Sequence, residues 1–194
     1  MQGAGFILIR VLVLFVMAFA VAACTNVAIS GAQAVYNHKS LENSVNDQVI
    51  AFKANHVINH PRFEGTNISI AVLNREVLLS GEVNNDRQKT QLGELVQKID
   101  GVQQVHNYVA ISGSASALSR AADTWLTTKV KSKIIASGDI DATRIKVVTE
   151  RGTVYLMGTL TPDEADAAVD IASTTDGVTS VVKLFSYMKI TKTL

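Results

Sequence analysis

The chain is poor in cysteine, in net charge and in long apolar runs, and each shortage excludes a class of protein. Cys24 is the single cysteine among 194 residues, so an intramolecular disulfide is impossible and stability must come from packed cores. Arg10 is the one charged residue before Cys24, and the remaining chain is formally neutral. This charge balance argues against a broad nucleic-acid-binding surface. After Cys24 no apolar run reaches the roughly 18 residues of a membrane span.

The chain also lacks the residue patterns of common active sites. It has no second cysteine, no nucleophile elbow and no glycine-rich phosphate loop. His56 and His60 have a spacing that can place two imidazoles on one metal, but no third ligand accompanies them. We therefore expect no catalytic residues, no metal site and no cofactor, and a non-enzymatic role.

The first apolar segment ends in Val21-Ala22-Ala23-Cys24. Signal peptidases accept small side chains just before the cut, and two alanines supply them here. A cysteine directly after them predicts a lipoprotein signal peptide at residues 1–23 and a covalent lipid, such as palmitate chains, on Cys24. Each buried methylene contributes about 0.8 kcal/mol, so two or three acyl chains would hold the protein on a bilayer without spanning it.

The alternative for this segment is an uncleaved transmembrane helix over residues 6–23, which Arg10 interrupts. The apolar stretch after Arg10 has the length of a signal peptide's apolar region, which favours the lipoprotein interpretation. Thr25 follows the cysteine where an aspartate would retain a bacterial lipoprotein in the inner membrane. By that analogy we expect the outer membrane.

The remaining chain is a tandem duplication. A shift of 76 or 77 residues places Thr66-Asn67-Ile68 on Thr143-Arg144-Ile145, and Asp100-Gly101-Val102 on Asp176-Gly177-Val178. Two small domains are therefore predicted. The predicted segments are a flexible tether at 24–44, domains at 45–112 and 120–191, and a flexible linker at 113–119.

Both copies predict the order helix, strand, strand, helix, strand. In the first copy, alternating apolar residues predict strands at 68–72 and 77–83, with a turn at Asn74-Arg75. The helix at 45–59 precedes them, and a final strand carries Val105, Val109 and Ile111 on one face.

The second copy has clearer signals. A helix is predicted at 120–136, strands at 145–149 and 154–159, and a last strand at 178–190. Thr161-Pro162-Asp163-Glu164 has the residues of an N-cap, a first-turn proline and a capping box, and so marks the start of the second helix.

This order, with Val-x-Leu-x-Gly closing the second strand and Gly-Val opening the third, resembles the BON domain. The residues are Val77-Leu78-Leu79-Ser80-Gly81 with Gly101-Val102, and Val154-Tyr155-Leu156-Met157-Gly158 with Gly177-Val178. The resemblance implies an α+β fold in which helices pack on a small mixed three-stranded sheet. The first copy departs from the pattern at Arg75, where the second has Gly152.

Two BON domains behind a lipid-modified cysteine resemble a family of lipoproteins on the periplasmic face of the outer membrane. The resemblance implies binding of anionic phospholipid, such as phosphatidylglycerol or cardiolipin, through the first helix of the second domain. It also implies a role in outer-membrane integrity and a link to the machinery that assembles outer-membrane barrels.

The residues of that helix agree with a lipid surface. On a helical wheel Leu126, Val130 and Ile134 form the stripe that should pack on the sheet. Trp125 lies off that stripe, and an indole favours the headgroup boundary, where lysines can meet lipid phosphate. The candidate lipid-binding residues are Ala121, Trp125, Thr128, Lys129, Lys131, Ser132 and Lys133.

Two alternatives remain open. Trp125 could instead fill the interface between the two domains. The protein could also be an adaptor whose sheet edges or first helices dock on an envelope complex. Lipid binding is assigned to the second copy only, because the matching position in the first copy is Gln48 or Val49.

Overall fold

A computed structural model describes residues 31–113 and 117–188 of the chain. Domain 1 contains α1 (Gly31–Ile58), a short 3-10 helix (Pro61–Phe63), β1 (Asn67–Leu73), β2 (Glu76–Val83), α2 (Asp86–Gln97), β3 (Gln104–Asn107) and β4 (Ala110–Ile111). Domain 2 contains α3 (Ala117–Ser137), β5 (Ile145–Glu150), β6 (Thr153–Leu160), α4 (Pro162–Ser173) and β7 (Ser180–Tyr187).

Each domain has a small mixed sheet. In domain 2, β5 pairs antiparallel with β6, and β7 pairs parallel with β6 on its other side. In domain 1, β1 and β2 form the same antiparallel hairpin, while β3 and β4 share the third position, both parallel to β2. The predicted α+β class with the order helix, strand, strand, helix, strand is confirmed.

The predicted hairpin turn at Asn74-Arg75 is confirmed. Both residues have positive φ, 51° and 67°, as do Arg151 and Gly152 in the second copy at 50° and 73°. Positive φ at both central residues defines a type I′ turn, which suits the twist of a hairpin. The Arg75 side chain donates from Nε to the Gly101 carbonyl at 2.7 Å, which helps to hold a residue that rarely adopts this conformation.

Helix starts follow the capping signals. The Thr161 hydroxyl accepts the Glu164 N–H at 3.3 Å, and Glu164 Oε2 accepts the Thr161 N–H at 2.8 Å, which completes the predicted capping box. In domain 1 the Asn85 side chain accepts the Gln88 N–H at 2.9 Å.

Two predicted boundaries are wrong. The tether at 24–44 was expected to be flexible throughout, but α1 begins at Gly31. Neither proline nor a further glycine interrupts residues 32–58, so nothing breaks the helix there. The linker at 113–119 is helical from Ala117, since Ala117 and Leu118 are strong helix formers.

The last strands were also predicted imperfectly. In domain 1 the strand breaks after Asn107, and Tyr108 donates its N–H to the Leu79 carbonyl at 2.8 Å. On either side of the break the predicted shared face is kept, because Val105 and Val109 pack in the core of domain 1 and Ile111 pairs with the core residue Val83. Ile111 is half exposed at the end of the strand. In domain 2, β7 ends at Tyr187 rather than at residue 190.

The helices cover one face of each sheet, and the two sheets meet at their other faces. In β2, Val77 and Leu79 pack with Ile50 of α1, while Leu78 packs with β6 of domain 2. In β6, the helix-facing residues Val154 and Leu156 alternate with Tyr155 and Met157 in the same way. The layers therefore run helix, sheet, sheet, helix, and the free faces of α1 and α3 lie on opposite sides.

Candidate functional site

The inner face of α3 fixes the helix on the sheet of domain 2. Leu126, Val130 and Ile134 are buried in the core, as the wheel predicts. One turn earlier, Asp123 accepts the backbone N–H groups of Arg151 and Gly152 at 2.8 and 2.9 Å. These bonds attach the start of α3 to the β5–β6 turn, a positioning role for Asp123 that the sequence analysis missed.

The outer face of α3 carries the candidate lipid-binding residues. Trp125 is 61% exposed, and Ala121, Thr128 and Ser132 beside it are exposed as well. The Thr128 hydroxyl donates to the Thr124 carbonyl at 3.0 Å, so the hydroxyl donor is satisfied within the helix. The surface around the indole is therefore smooth and only weakly polar.

The three lysines of the site differ in their surroundings. Lys129 Nζ lies 4.9 Å from the Trp125 ring centroid, a cation–π distance, and 3.5 Å from Asp176 Oδ2. Lys131 and Lys133 are exposed on the flanks, and the described residues place no carboxylate within ion-pairing distance of either. Lys129 orients the indole, while the flanking lysines are available to an anionic surface.

Two exposed apolar residues at the ends of this surface were not among the predicted lipid-binding residues. Leu118 is 81% exposed and Ile135 is 67% exposed. Leu118 stands seven residues before Trp125, on the same side of α3, but the helix was predicted to start after it. Ile135 follows the buried Ile134 and flanks the same surface. The apolar surface is thus longer than predicted.

Trp125 takes no part in the interface between the domains. That interface, called here the domain interface, is formed by the sheet faces that the helices do not cover, whereas Trp125 is 61% exposed. Its residues are Ala71, Leu73, Leu78, Val148, Tyr155, Met157, Val182 and Leu184. The signal was present in the sequence, because β2 and β6 carry apolar residues on both faces, as strands buried on both sides do.

Polar contacts surround this apolar centre. Lys146 Nζ donates to the Val72 carbonyl at 2.9 Å, and burial of this amine lowers its pKa. Arg151 Nε lies 2.7 Å from Oε1 of the fully buried Glu82. Two further hydrogen bonds cross the interface, from Asn74 Nδ2 to Thr159 Oγ1 and from Ser186 Oγ to Glu76 Oε1, both at 3.0 Å. The ring centroids of Tyr108 and Tyr155 lie 5.2 Å apart.

Domain 1 has a surface equivalent to that of α3. Asp47 accepts the N–H groups of Asn74 and Arg75, both at 2.7 Å, as Asp123 does in domain 2. This equivalence fixes the register of the duplication and places Val49, not Gln48, at the position of Trp125. Val45, Val49 and Phe52 are exposed along α1. The outer face of α1 is therefore apolar but carries no tryptophan.

The remaining candidates lie apart from this surface. His60 is beyond the end of α1 and accepts from the Arg62 backbone at 3.3 Å. In residues 31–113 and 117–188 no group of three or more metal-ligating side chains comes together, and no helix combines the length and apolar character of a membrane span. Cys24 and the predicted signal peptide lie outside the described residues.

Comparison with known proteins identifies relatives of this two-domain arrangement. The family model of the BON domain matches residues 46–113 and 122–189. The outer membrane lipoprotein DolP of Haemophilus influenzae is 36% identical over 147 residues, which cover 74% of this chain and 76% of that protein.

Two further relatives match both parts of the chain. The 21 kDa hemolysin of Actinobacillus pleuropneumoniae is 32% identical, with 65% of each chain covered. The osmotically-inducible protein Y of Escherichia coli is 30% identical, with 72% of this chain and 71% of that protein covered. None of the three names denotes an enzyme.

Proposed function

The chain belongs to the BON-domain family, and from that premise we propose that it is an outer-membrane lipoprotein that binds anionic phospholipid through α3. It faces the periplasm and supports the integrity of the outer membrane. Support for the location comes from its similarity to a protein named as an outer membrane lipoprotein. The lipid anchor is the acylated Cys24, as the small residues before it suggest.

The observation that carries lipid binding is the exposed indole on the outer face of α3. A tryptophan 61% exposed to water, flanked by Leu118 and Ile135, costs free energy that burial at a headgroup boundary would recover. Cations beside such a surface each contribute about 1 kcal/mol near anionic lipid. Binding by these few groups is weak.

The anchor makes weak binding sufficient. Acyl chains on Cys24 hold the protein at the membrane, so that α3 meets lipid at a high effective concentration. The contact of α3 then orients the domains and selects patches of anionic lipid. No catalytic group is needed for such a role.

The test follows Trp125 emission in a chain that begins at Thr25. The buried core residues of both domains lie from Ile50 onward, so this chain retains them. Vesicles of phosphatidylglycerol or cardiolipin should shift the emission to the blue, salt should reverse the shift, and phosphatidylcholine vesicles should leave it unchanged. An emission that stays constant with every vesicle would refute lipid binding by α3.

Variants are compared by vesicle flotation, because Trp125 is the single tryptophan. Trp125→Ala should weaken binding about tenfold, the effect expected when one large apolar contact is lost. Val49→Ala, at the equivalent position of α1, is the matched control and should bind as the parent does. Equal losses in both variants would place the lipid contact elsewhere.

A second candidate function is favoured by the outer face of α1. Val45, Val49 and Phe52 are spaced by four and three residues and are exposed, which suits docking on a protein groove. The chain would then be an adaptor for an envelope complex such as the barrel-assembly machinery. Photocrosslinking from position 49 in cells should capture a subunit of that machinery, and crosslinking from position 125 should not.

A further inference from the structure

A polar cleft separates part of domain 1 from the first helix of domain 2. Its volume is about 260 Å³, and it lies between β1 on one side and α3 and β5 on the other. Asn67 and Ser69 line it from domain 1, Thr124 and Thr127 from α3. Glu150, the last residue of β5, also lines the cleft.

The charged groups around Glu150 come from both domains. Glu82 of β2 and Asp123 of α3 add negative charge, while Arg151 of the turn and Arg120 of α3 oppose it. Charges of both signs, from both domains, thus act on the Glu150 carboxylate. On the adjacent strand β6, burial and then the charges of Glu150 and Tyr108 raise the pKa of Tyr155.

Two of these groups, Glu82 and Asp123, already make hydrogen bonds or ion pairs with other residues. Glu82 is fully buried, with Arg151 Nε 2.7 Å from its Oε1 and Asn67 Nδ2 donating to its Oε2 at 2.9 Å. Asp123 accepts the two turn N–H groups. The Glu82–Arg151 pair crosses the domain interface, and Glu150 is the chain neighbour of Arg151.

Glu150 is therefore sensitive to the contact between the domains. Burial above all, and then the charge of Glu82, raise the pKa of Glu150 to about 7. Glu82 belongs to the other domain, so its repulsion disappears when the domains separate, and part of the burial goes with it. A proton that binds more tightly to the closed arrangement must in turn stabilise that arrangement.

We infer that the domain interface is a pH-sensitive clamp, in which protonation of Glu150 tightens the contact between the two domains and ionisation loosens it. Below neutral pH the protonated Glu150 leaves the Glu82–Arg151 pair across the interface without an added negative charge beside it. Above neutral pH the Glu150 carboxylate adds repulsion to Glu82 across the interface. The clamp acts between the two domains and does not depend on lipid binding.

The test measures the distance between the domains without lipid. A chain that begins at Thr25 has no cysteine, so Lys98→Cys and Ser173→Cys place one spin label on the exposed outer side of each domain. Double electron–electron resonance should give one narrow distance distribution at pH 6. At pH 8 a longer-distance population should grow severalfold, with about tenfold as the upper limit set by proton linkage.

Three variants assign the effect. Glu150→Gln keeps the shape and removes the titration, so its distribution should stay narrow at both pH values. Glu94→Gln, on the exposed face of α2, is the matched control and should behave as the parent does. His106→Gln should also keep the pH response. His106 is tested because it lies 2.9 Å from Glu76, which contacts Ser186 of domain 2 at the same interface.

The possible results decide the inference. A parent distribution that is the same at pH 6 and pH 8 would overturn it, as would a pH response that survives Glu150→Gln. Loss of the response in His106→Gln alone would assign the clamp to the histidine and refute the role of Glu150. None of these results bears on lipid binding, which the vesicle experiment measures separately.

Discussion

The two domains share one framework on the inside and differ on the outside. In each, an aspartate of the first helix binds the hairpin turn, and the helix buries aliphatic residues against the sheet. On the outer faces of these helices, Val49 of α1 is 46% exposed, and the equivalent position of α3 exposes Trp125. Because the sheets meet back to back, these outer faces lie on opposite sides. The duplication has therefore produced one scaffold with two different exposed surfaces.

The turns show a second difference. Domain 2 has Gly152 at the second positive-φ position, whereas domain 1 has Arg75. A non-glycine residue there costs about 1 kcal/mol or more, which the Arg75–Gly101 bond and Asp47 offset in part. Domain 1 thus depends more on its side-chain contacts at the turn.

The largest loss of stability should come from adding a side chain at Gly81, the glycine of β2. A Cβ on Gly81 would lie 2.0 Å from the Asn67 carbonyl oxygen, and its φ is +98°. The equivalent Gly158 would place a Cβ 2.8 Å from the Arg144 oxygen. Gly81→Ala should cost at least about 3 kcal/mol of unfolding free energy, and Gly158→Ala less.

Thermal and denaturant unfolding of both variants measure this difference. If Gly158→Ala were the more damaging substitution, the strain would lie in the sheet of domain 2 and not in that of domain 1. Gly113→Ala, where nothing lies within 4 Å of the added Cβ, provides the unstrained control.

An intermediate effect should follow from removing the aspartates that hold the turns. Asp47→Ala and Asp123→Ala each remove two charge-assisted hydrogen bonds, which should cost about 2–4 kcal/mol. Asp47→Ala should cost more, because its turn holds two non-glycine residues at positive φ. Urea unfolding gives both values, and the exposed Asp100→Ala should change stability by less than about 0.5 kcal/mol. Equal losses would mean that Arg75 carries no extra strain.

The smallest change in stability should come from replacing Glu150, the carboxylate that lines the cleft. Between pH 4.5 and about 7 the folded protein holds the Glu150 proton more tightly than the unfolded chain does. Stability therefore falls as pH rises through this range. Glu150→Gln should stabilise the protein by about 1 kcal/mol at pH 8 after solvent screening of this half-exposed group. The gain should shrink towards pH 4, and a constant gain would contradict the raised pKa.

Local patterns predicted most of the fold. The alternation in residues 68–83, the Asn74-Arg75 turn and the capping box at Thr161 each reflect contacts between near neighbours in sequence. The duplication then predicted the same element order for both domains. The starts of α1 at Gly31 and α3 at Ala117 were predicted less well than those of α2 and α4, which the capping residues Asn85 and Thr161 mark. In the candidate site, the helical wheel correctly predicted the buried stripe of α3. It did not predict that Leu118 and Ile135 extend the exposed apolar surface.

The sequence by itself determined the two domains, their element order and the tryptophan-bearing helix, because strand and helix periodicity are local properties. The tertiary structure alone decided that the sheets pack back to back, that Trp125 is exposed and that Glu150 lines a cleft with residues of domain 1. Those outcomes depend on residues of different domains, such as Leu78 with Met157. Their association follows from the burial of two apolar sheet faces that neither domain can cover by itself.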